Sequence, residues 1–244
     1  MMISNIIFLV VFLVAITLFI LNLNKIIANI KLGRNINRSD RSTDRWKNMF
    51  RVAVGQSKMT RRPVAGILHI ILYLGFVIIN IEVIEIIVDG VFGSHRFLSS
   101  ILPIGLYNFL IGSFEILAIL VLVACVIFLV RRNLIRIKRF WSKEMTSWPR
   151  TDANLILVFE ILLMSAFLIM NATDGLLFAA GNPHYATSFY NPVSQYFQFM
   201  FTAMDTATLV TIERFTWWFH IIGILGFMNY VLISKPNQLK CRSQ

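Results

Sequence analysis

Of four histidines in the chain, two fall within strongly apolar runs: His69 in Gly66-Ile67-Leu68-His69 and His220 in Trp217-Trp218-Phe219-His220. An ionisable side chain inside a bilayer span is costly enough to require a partner or a task. One explanation is a neutral imidazole hydrogen-bonded to a neighbouring helix. The other is axial ligation of a haem b, whose iron takes an imidazole from each of two facing helices. His69 and His220 are therefore candidate cofactor-binding residues, with haem iron as the only metal in view. Glu213 precedes His220 by nearly two helical turns and shares its face. It is the candidate proton acceptor for a quinol oxidised near the outer surface, and a pair with a neighbouring Arg is the alternative.

The remaining polar residues in apolar runs divide by spacing. At about 100° per residue, the side of the second apolar run bearing His69 also carries Tyr73, Phe76, Asn80 and Ile87. Glu82, Glu85 and Asp89 stack on the far side as a ladder, able to release protons or to pair with Arg96 or Arg214, and pairing is the commoner outcome for membrane carboxylates. Glu115 and Glu160 suggest pairing and nothing more. His95 and His184 read as ordinary loop histidines. Trp217 and Trp218 could wall a porphyrin or simply pack in a core.

The elements that position these residues follow from composition. At 57% hydrophobic and 14% charged residues, the chain is far more apolar than a soluble domain. A hydrocarbon core of about 30 Å needs about 20 apolar helical residues. Runs of that length cover residues 3–23, 64–88, 104–130, 153–173 and 211–233, followed by a short tail, 234–244. The first run has no preceding basic residue and no clear small-residue cleavage site, so it reads as a helix rather than a signal peptide. No span contains Pro and no repeat is evident, which argues against a transporter built on broken helices. The predicted fold is an all-α, five-helix transmembrane bundle.

Charge orients it. A formal charge of +11 would suggest nucleic acid in a soluble protein, but all Lys and Arg except Arg96 and Arg214 lie in segments 24–63 and 131–151 or in the tail. Basic loops near spans are cytoplasmic, which places the N-terminus outside and the C-terminus inside a multi-pass bacterial inner-membrane protein. The partner of this charge is the lipid bilayer or an acidic soluble protein, not nucleic acid. Within 24–63, a helical stripe of Trp46, Met49, Phe50 and Val54 flanked by basic residues reads as a surface helix. In 174–210, Asp174, Gly175, Gly181, Asn182, Pro183 and Asn191-Pro192 mark turns in an aromatic-rich interfacial loop. Two cysteines, Cys125 and Cys241, are too few for an iron–sulfur cluster within this chain.

The order of spans, the stretch Thr60-Arg61-Arg62-Pro63-Val64-Ala65-Gly66-Ile67-Leu68-His69, the later Ile79-Asn80-Ile81-Glu82-Val83 and the run Glu213-Arg214-Phe215-Thr216-Trp217-Trp218-Phe219-His220 resemble the respiratory nitrate reductase gamma subunit family. The form resembled is the membrane domain fused to heterodisulfide-reductase-like iron–sulfur oxidoreductases. The resemblance covers most of residues 24–233. It implies a bundle that holds haem b, exchanges electrons with quinone, and passes them to or from cytoplasmic iron–sulfur clusters.

In that family the fifth helix runs on into a histidine-bearing segment and, in fused members, a cysteine-rich domain; here the residues read Ser234-Lys235-Pro236-Asn237-Gln238-Leu239-Lys240-Cys241. The expectation is that a separate subunit supplies the clusters or that the chain is a truncated member, and Pro236 favours truncation. The depths of the two histidines differ as well. His69 lies about 10 Å from the cytoplasmic end of its helix and His220 about 22 Å, so each could serve a different haem position. The expected function is an electron-transfer membrane subunit of b-type cytochrome kind, linking quinone to a cytoplasmic iron–sulfur oxidoreductase. The alternative is a non-catalytic membrane anchor or a remnant of such an enzyme.

Overall fold

The computed structural model describes residues 2–33, 40–57, 63–137, 147–187 and 189–240. Five long helices make the body: α1 (Met2–Lys31), α3 (Pro63–Phe92), α5 (Ile104–Leu129), α6 (Ser147–Ala179) and α7 (Thr206–Lys240). Two short helices connect them, α2 (Ser42–Met49) and α4 (Phe97–Ile101), and two 3-10 segments, Pro183–Tyr185 and Ser194–Met200, lie between α6 and α7. Among the described residues there is no strand, and the five long helices are long and apolar enough to cross a membrane. The all-helical, five-span architecture expected from the sequence is the one observed.

The helices run past the apolar segments because their ends are satisfied by partners rather than by hydropathy. α3 continues through Asp89 to Phe92, and α6 continues through Asp174 to Ala179. Asp174 and Gly175, expected at a turn, are helical. Asp174 is held by an ion pair with Arg96, and a Cβ on Gly175 would meet the Gln198 and Asn191 side chains at 2.6 and 2.9 Å.

α1 packs on α3 and α7, α3 on α5, α5 on α6 and α6 on α7, closing the five helices into a ring. Phe8, Ile79, Ile86, Tyr107, Phe114, Phe167 and Ile221 fill its interior. Gly90 of α3 admits the Phe8 ring, which a Cβ there would approach to 2.6 Å. The perimeter is apolar and exposed, as at Leu13, Phe76, Ile84, Phe109 and Phe215, which suits a lipid surround and not water. α2 and the π-helical turn after it bury no residue, and they present Trp46, Met49, Phe50 and Val54 outward. The segment Thr60-Arg61-Arg62 and Cys241, together with residues 138–146, lie outside the described residues. The bundle thus has a basic end, carrying residues 40–57 and 131–137, and a polar end, carrying the loops around Arg96 and Tyr185.

Candidate functional site

The polar end is organised around Arg96. Asp89 shapes the approach: its Oδ1 accepts from Ser94 Oγ at 2.6 Å and from the Phe97 amide at 3.1 Å, and its Oδ2 accepts from the Arg96 amide at 2.9 Å. With Gly93 and Arg96 both at positive φ, the loop turns back on α3 and sends the Arg96 side chain inward. The guanidinium donates to Glu82 Oε1 at 3.0 Å, to Asp174 Oδ2 at 3.1 and 3.0 Å, and to Asn171 Oδ1 at 2.6 Å. Asn171 donates in turn to Glu115, which also accepts from Ser194 Oγ and from the amides of Val193 and Ser194, so that it anchors the second 3-10 segment. Glu85 accepts from the Leu98 amide and Tyr107. Each carboxylate of the ladder is thus paired through at least one oxygen, while Glu82 Oε2 and Glu85 Oε2 are buried without a partner among the described residues.

Beside this network a cavity of about 290 Å³ opens between α1, the end of α3, the Pro183–Tyr185 turn and the start of α7. Its volume is close to the lower limit of ligand pockets, roughly 300–1,000 Å³. Phe8, Tyr185 and Trp217 give it aromatic walls, and His95, His184 and Arg214 give it polar ones. Trp217 and Trp218 both pack against Phe8, at 5.6 and 6.1 Å between ring centroids, so this pair serves the core and the vestibule wall.

Glu213 adjoins the vestibule but is fully engaged. Its Oε2 accepts from Tyr185 Oη at 2.6 Å and from Arg214 Nε at 2.5 Å, and its Oε1 accepts from Arg214 Nη2 at 2.9 Å. Of the two readings of Glu213, the structure displays the pair with arginine. Burial and the Glu213 carboxylate push the Tyr185 phenol well above its ordinary value.

The two loop histidines, by contrast, meet each other. Their ring centroids are 5.3 Å apart, and the His95 ring lies 4.9 Å from that of Tyr185. His95 Nε2 is 3.2 Å from Asp174 Oδ2, while its Nδ1 is buried without a hydrogen-bond partner among the described residues. Burial, followed by the charges of His95 and Arg214, lowers the pKa of His184 from 6.5. Nothing in the spacing of residues 95 and 184 announces this meeting, because the long α5 and α6 separate them in sequence.

His220 occupies a different place, midway along α7. It is 1% exposed, its Nδ1 is 3.0 Å from the carbonyl oxygen of Leu163, and its Nε2 has no hydrogen-bond partner among the described residues. With the carbonyl as acceptor, Nδ1 carries the proton and Nε2 keeps its lone pair. His220 lines a cleft of about 50 Å³ between α3, α6 and α7, together with Gly75, Phe76, Asn80, Glu160 and Phe227. An imidazole so oriented, with its outer nitrogen free, has the chemistry of an axial ligand held by an outer-shell carbonyl.

His69 does not line this cleft. It lies on the same face of α3 as Phe76 and Asn80, but the helical rise puts it about 16 Å along the axis from Asn80. The structure does not bring His69 and His220 together. His220 therefore offers a single open imidazole nitrogen, and His69 does not share its cleft. Among the described residues no group of three or more His, Cys, Asp and Glu is arranged to hold a metal ion.

No protein-family model matches the chain, and no solved structure matches it. It is similar to the probable iron-sulfur-binding oxidoreductase FadF of Bacillus subtilis, with 28% identity over 244 residues, covering 97% of this chain. The chain spans 31% of that relative's length, so the likeness relates a five-helix membrane bundle to one part of a larger iron–sulfur-binding oxidoreductase.

Proposed function

We propose that this chain is the membrane electron-transfer part of an oxidoreductase, exchanging electrons with quinone at its polar end and with an iron–sulfur protein or domain at its basic end. The observation that carries the reading is His220, a fully buried imidazole with one nitrogen fixed by a backbone carbonyl and the other left open. In this reading the polar end faces outward and the basic loops face the cytoplasm of a bacterial inner membrane, in keeping with the distribution of Lys and Arg. The relative, a probable iron-sulfur-binding oxidoreductase, supports a cluster-bearing partner, as do the basic residues of α2.

The chain's own residues supply binding, orientation and proton handling. His220 would hold a haem b on one face, and His69 would serve a second position nearer the basic end, completed by residues outside this arrangement. Haem b, when bound, supplies one-electron redox chemistry within the membrane. The Arg96 network keeps the polar end rigid, and the vestibule offers aromatic walls and hydrogen-bonding side chains to a quinone ring.

The test is a dithionite-reduced minus oxidised visible spectrum of the purified protein, with His69→Ala and His220→Ala alongside. A b-type α-band in the wild type that is lost in His220→Ala is expected. His69→Ala should remove a separable share of the signal, since the two histidines serve different positions. A wild type without any such band would overturn the cytochrome reading and leave a membrane anchor.

A further inference from the structure

Building on the quinone reading, we infer that His95, oriented by Asp174, is the residue that accepts the hydroxyl proton of a hydroquinone bound in the vestibule. Sequence spacing favours Glu213 for this role, but its oxygens already accept from Tyr185 and twice from Arg214. Both oxygens of that carboxylate are thus held by donors of the fold itself. His95 is arranged in the opposite way. Its Nε2 faces the Asp174 carboxylate at 3.2 Å, which favours the tautomer with hydrogen on Nε2 and leaves the Nδ1 lone pair available. Nδ1 is buried and has no partner among the described residues, while the side chain lines the vestibule.

Asp174 is itself fixed by Arg96 through two nitrogens, so the base rests on a held carboxylate. This is the arrangement in which one group orients a base and stabilises the cation it forms. The other charged groups around the ring are Glu85 and Asp89 from α3, Arg96 from the loop, and Glu213 with Arg214 from α7. His184 lies tilted beside it from the turn, at 5.3 Å between ring centroids, and burial lowers its pKa. The walls of Phe8, Tyr185 and Trp217 suit a flat aromatic ligand.

The step balances without electron transfer. The hydroquinone O–H bond breaks and an N–H bond forms at His95 Nδ1, which leaves a hydroquinone monoanion and an imidazolium beside the Asp174 carboxylate. In the reverse direction His95 returns the proton to a reduced quinone.

The test is equilibrium dialysis of menadiol, a tailless naphthoquinol, against the detergent-solubilised full chain under anaerobic conditions, with the dimethyl ether of menadiol in parallel. His95→Ala should weaken menadiol binding about tenfold, the loss of one hydrogen bond with a buried partner. His95→Asn, whose amide oxygen can accept near the Nδ1 position, should restore part of it. The ether, which has no proton to give, should bind wild type and His95→Ala alike, and so also reports that the variant is folded. Unchanged menadiol binding in His95→Ala overturns the inference, as does an equal loss for the ether, or loss in Glu213→Gln with His95→Ala intact. A wild type that binds neither compound overturns the quinone reading of the vestibule itself.

Discussion

The Arg96 network and the His220 cleft both bury ionisable side chains among apolar helices, yet they treat them differently. Around Arg96 nearly every charge is met: Glu82 and Asp174 by the guanidinium, Glu115 by Asn171 and Ser194, and Glu85 by the Leu98 amide and Tyr107. At His220 one nitrogen is held and the other is left open. Buried polar groups that serve stability keep at least one partner each, because an unsatisfied one costs about 1–3 kcal/mol, and Glu82, Glu85 and Asp174 each pair one carboxylate oxygen while the other stays open among the described residues. What sets His220 apart is that its open atom is an imidazole lone pair on a residue that lines a cleft. His95 combines both conditions in one residue, with Nε2 held by Asp174 and Nδ1 open.

The largest way to break this contrast is to remove the cation at its centre. Arg96→Met leaves Glu82 and Asp174 as buried carboxylates without their counter-ion, and losing one partner of a buried pair costs about 3–5 kcal/mol. Thermal unfolding in detergent should show a large fall in midpoint or failure to accumulate folded protein. Adding Asp174→Asn and Glu82→Gln should recover part of the loss, since neutral amides do not need the guanidinium. A triple variant no more stable than Arg96→Met would mean that packing, not charge compensation, dominates there.

Glu115→Ala should cost less, about 1–3 kcal/mol, because it strands the Asn171 amide and the hydrogen-bond donors of Val193 and Ser194 without leaving a lone charge. Limited proteolysis between α6 and α7 should quicken in this variant. His220→Phe belongs to the other region and should change stability by only about 1 kcal/mol, the net worth of one hydrogen bond, while removing any chromophore carried there. A severe loss of stability in His220→Phe would move that residue into the structural class.

Much of the architecture was legible in the sequence because the bilayer enforces it: spans of fixed length with charges excluded to their ends. Pairing of the carboxylate ladder was legible too, since Glu82, Glu85 and Asp89 stack by helical spacing and Arg96 follows on the next loop. The vestibule was not. Asp174 and Gly175 read as turn residues because local propensity cannot register an ion pair to Arg96, which is distant in sequence. His95 and His184 are each unremarkable among their neighbours, and only the antiparallel return of α6 brings them together. The sequence also suggested that His69 and His220 differ in depth, and the helical rise keeps them apart in the structure.

The smallest expected effect sharpens the comparison at its border, where His184 shares the vestibule with His95. Burial, with help from the charges of His95 and Arg214, lowers the folded-state pKa of His184 from 6.5. The unfolded chain, with its ordinary value, therefore takes up a proton first as the pH falls through about 6.5, and stability rises with pH wherever the unfolded state binds more protons. The stabilising difference is complete above that pH and shrinks below it, until the folded form is protonated as well. His184→Gln removes this contribution to the slope. Its unfolding midpoint, followed from about pH 8 down to about pH 5, should fall less steeply than that of the wild type. Parallel slopes in the two proteins would show that His184 is not penalised when charged. The turn at Pro183–Tyr185 would then be a solvated rim, and His95 would face the cavity with a readily charged imidazole beside it.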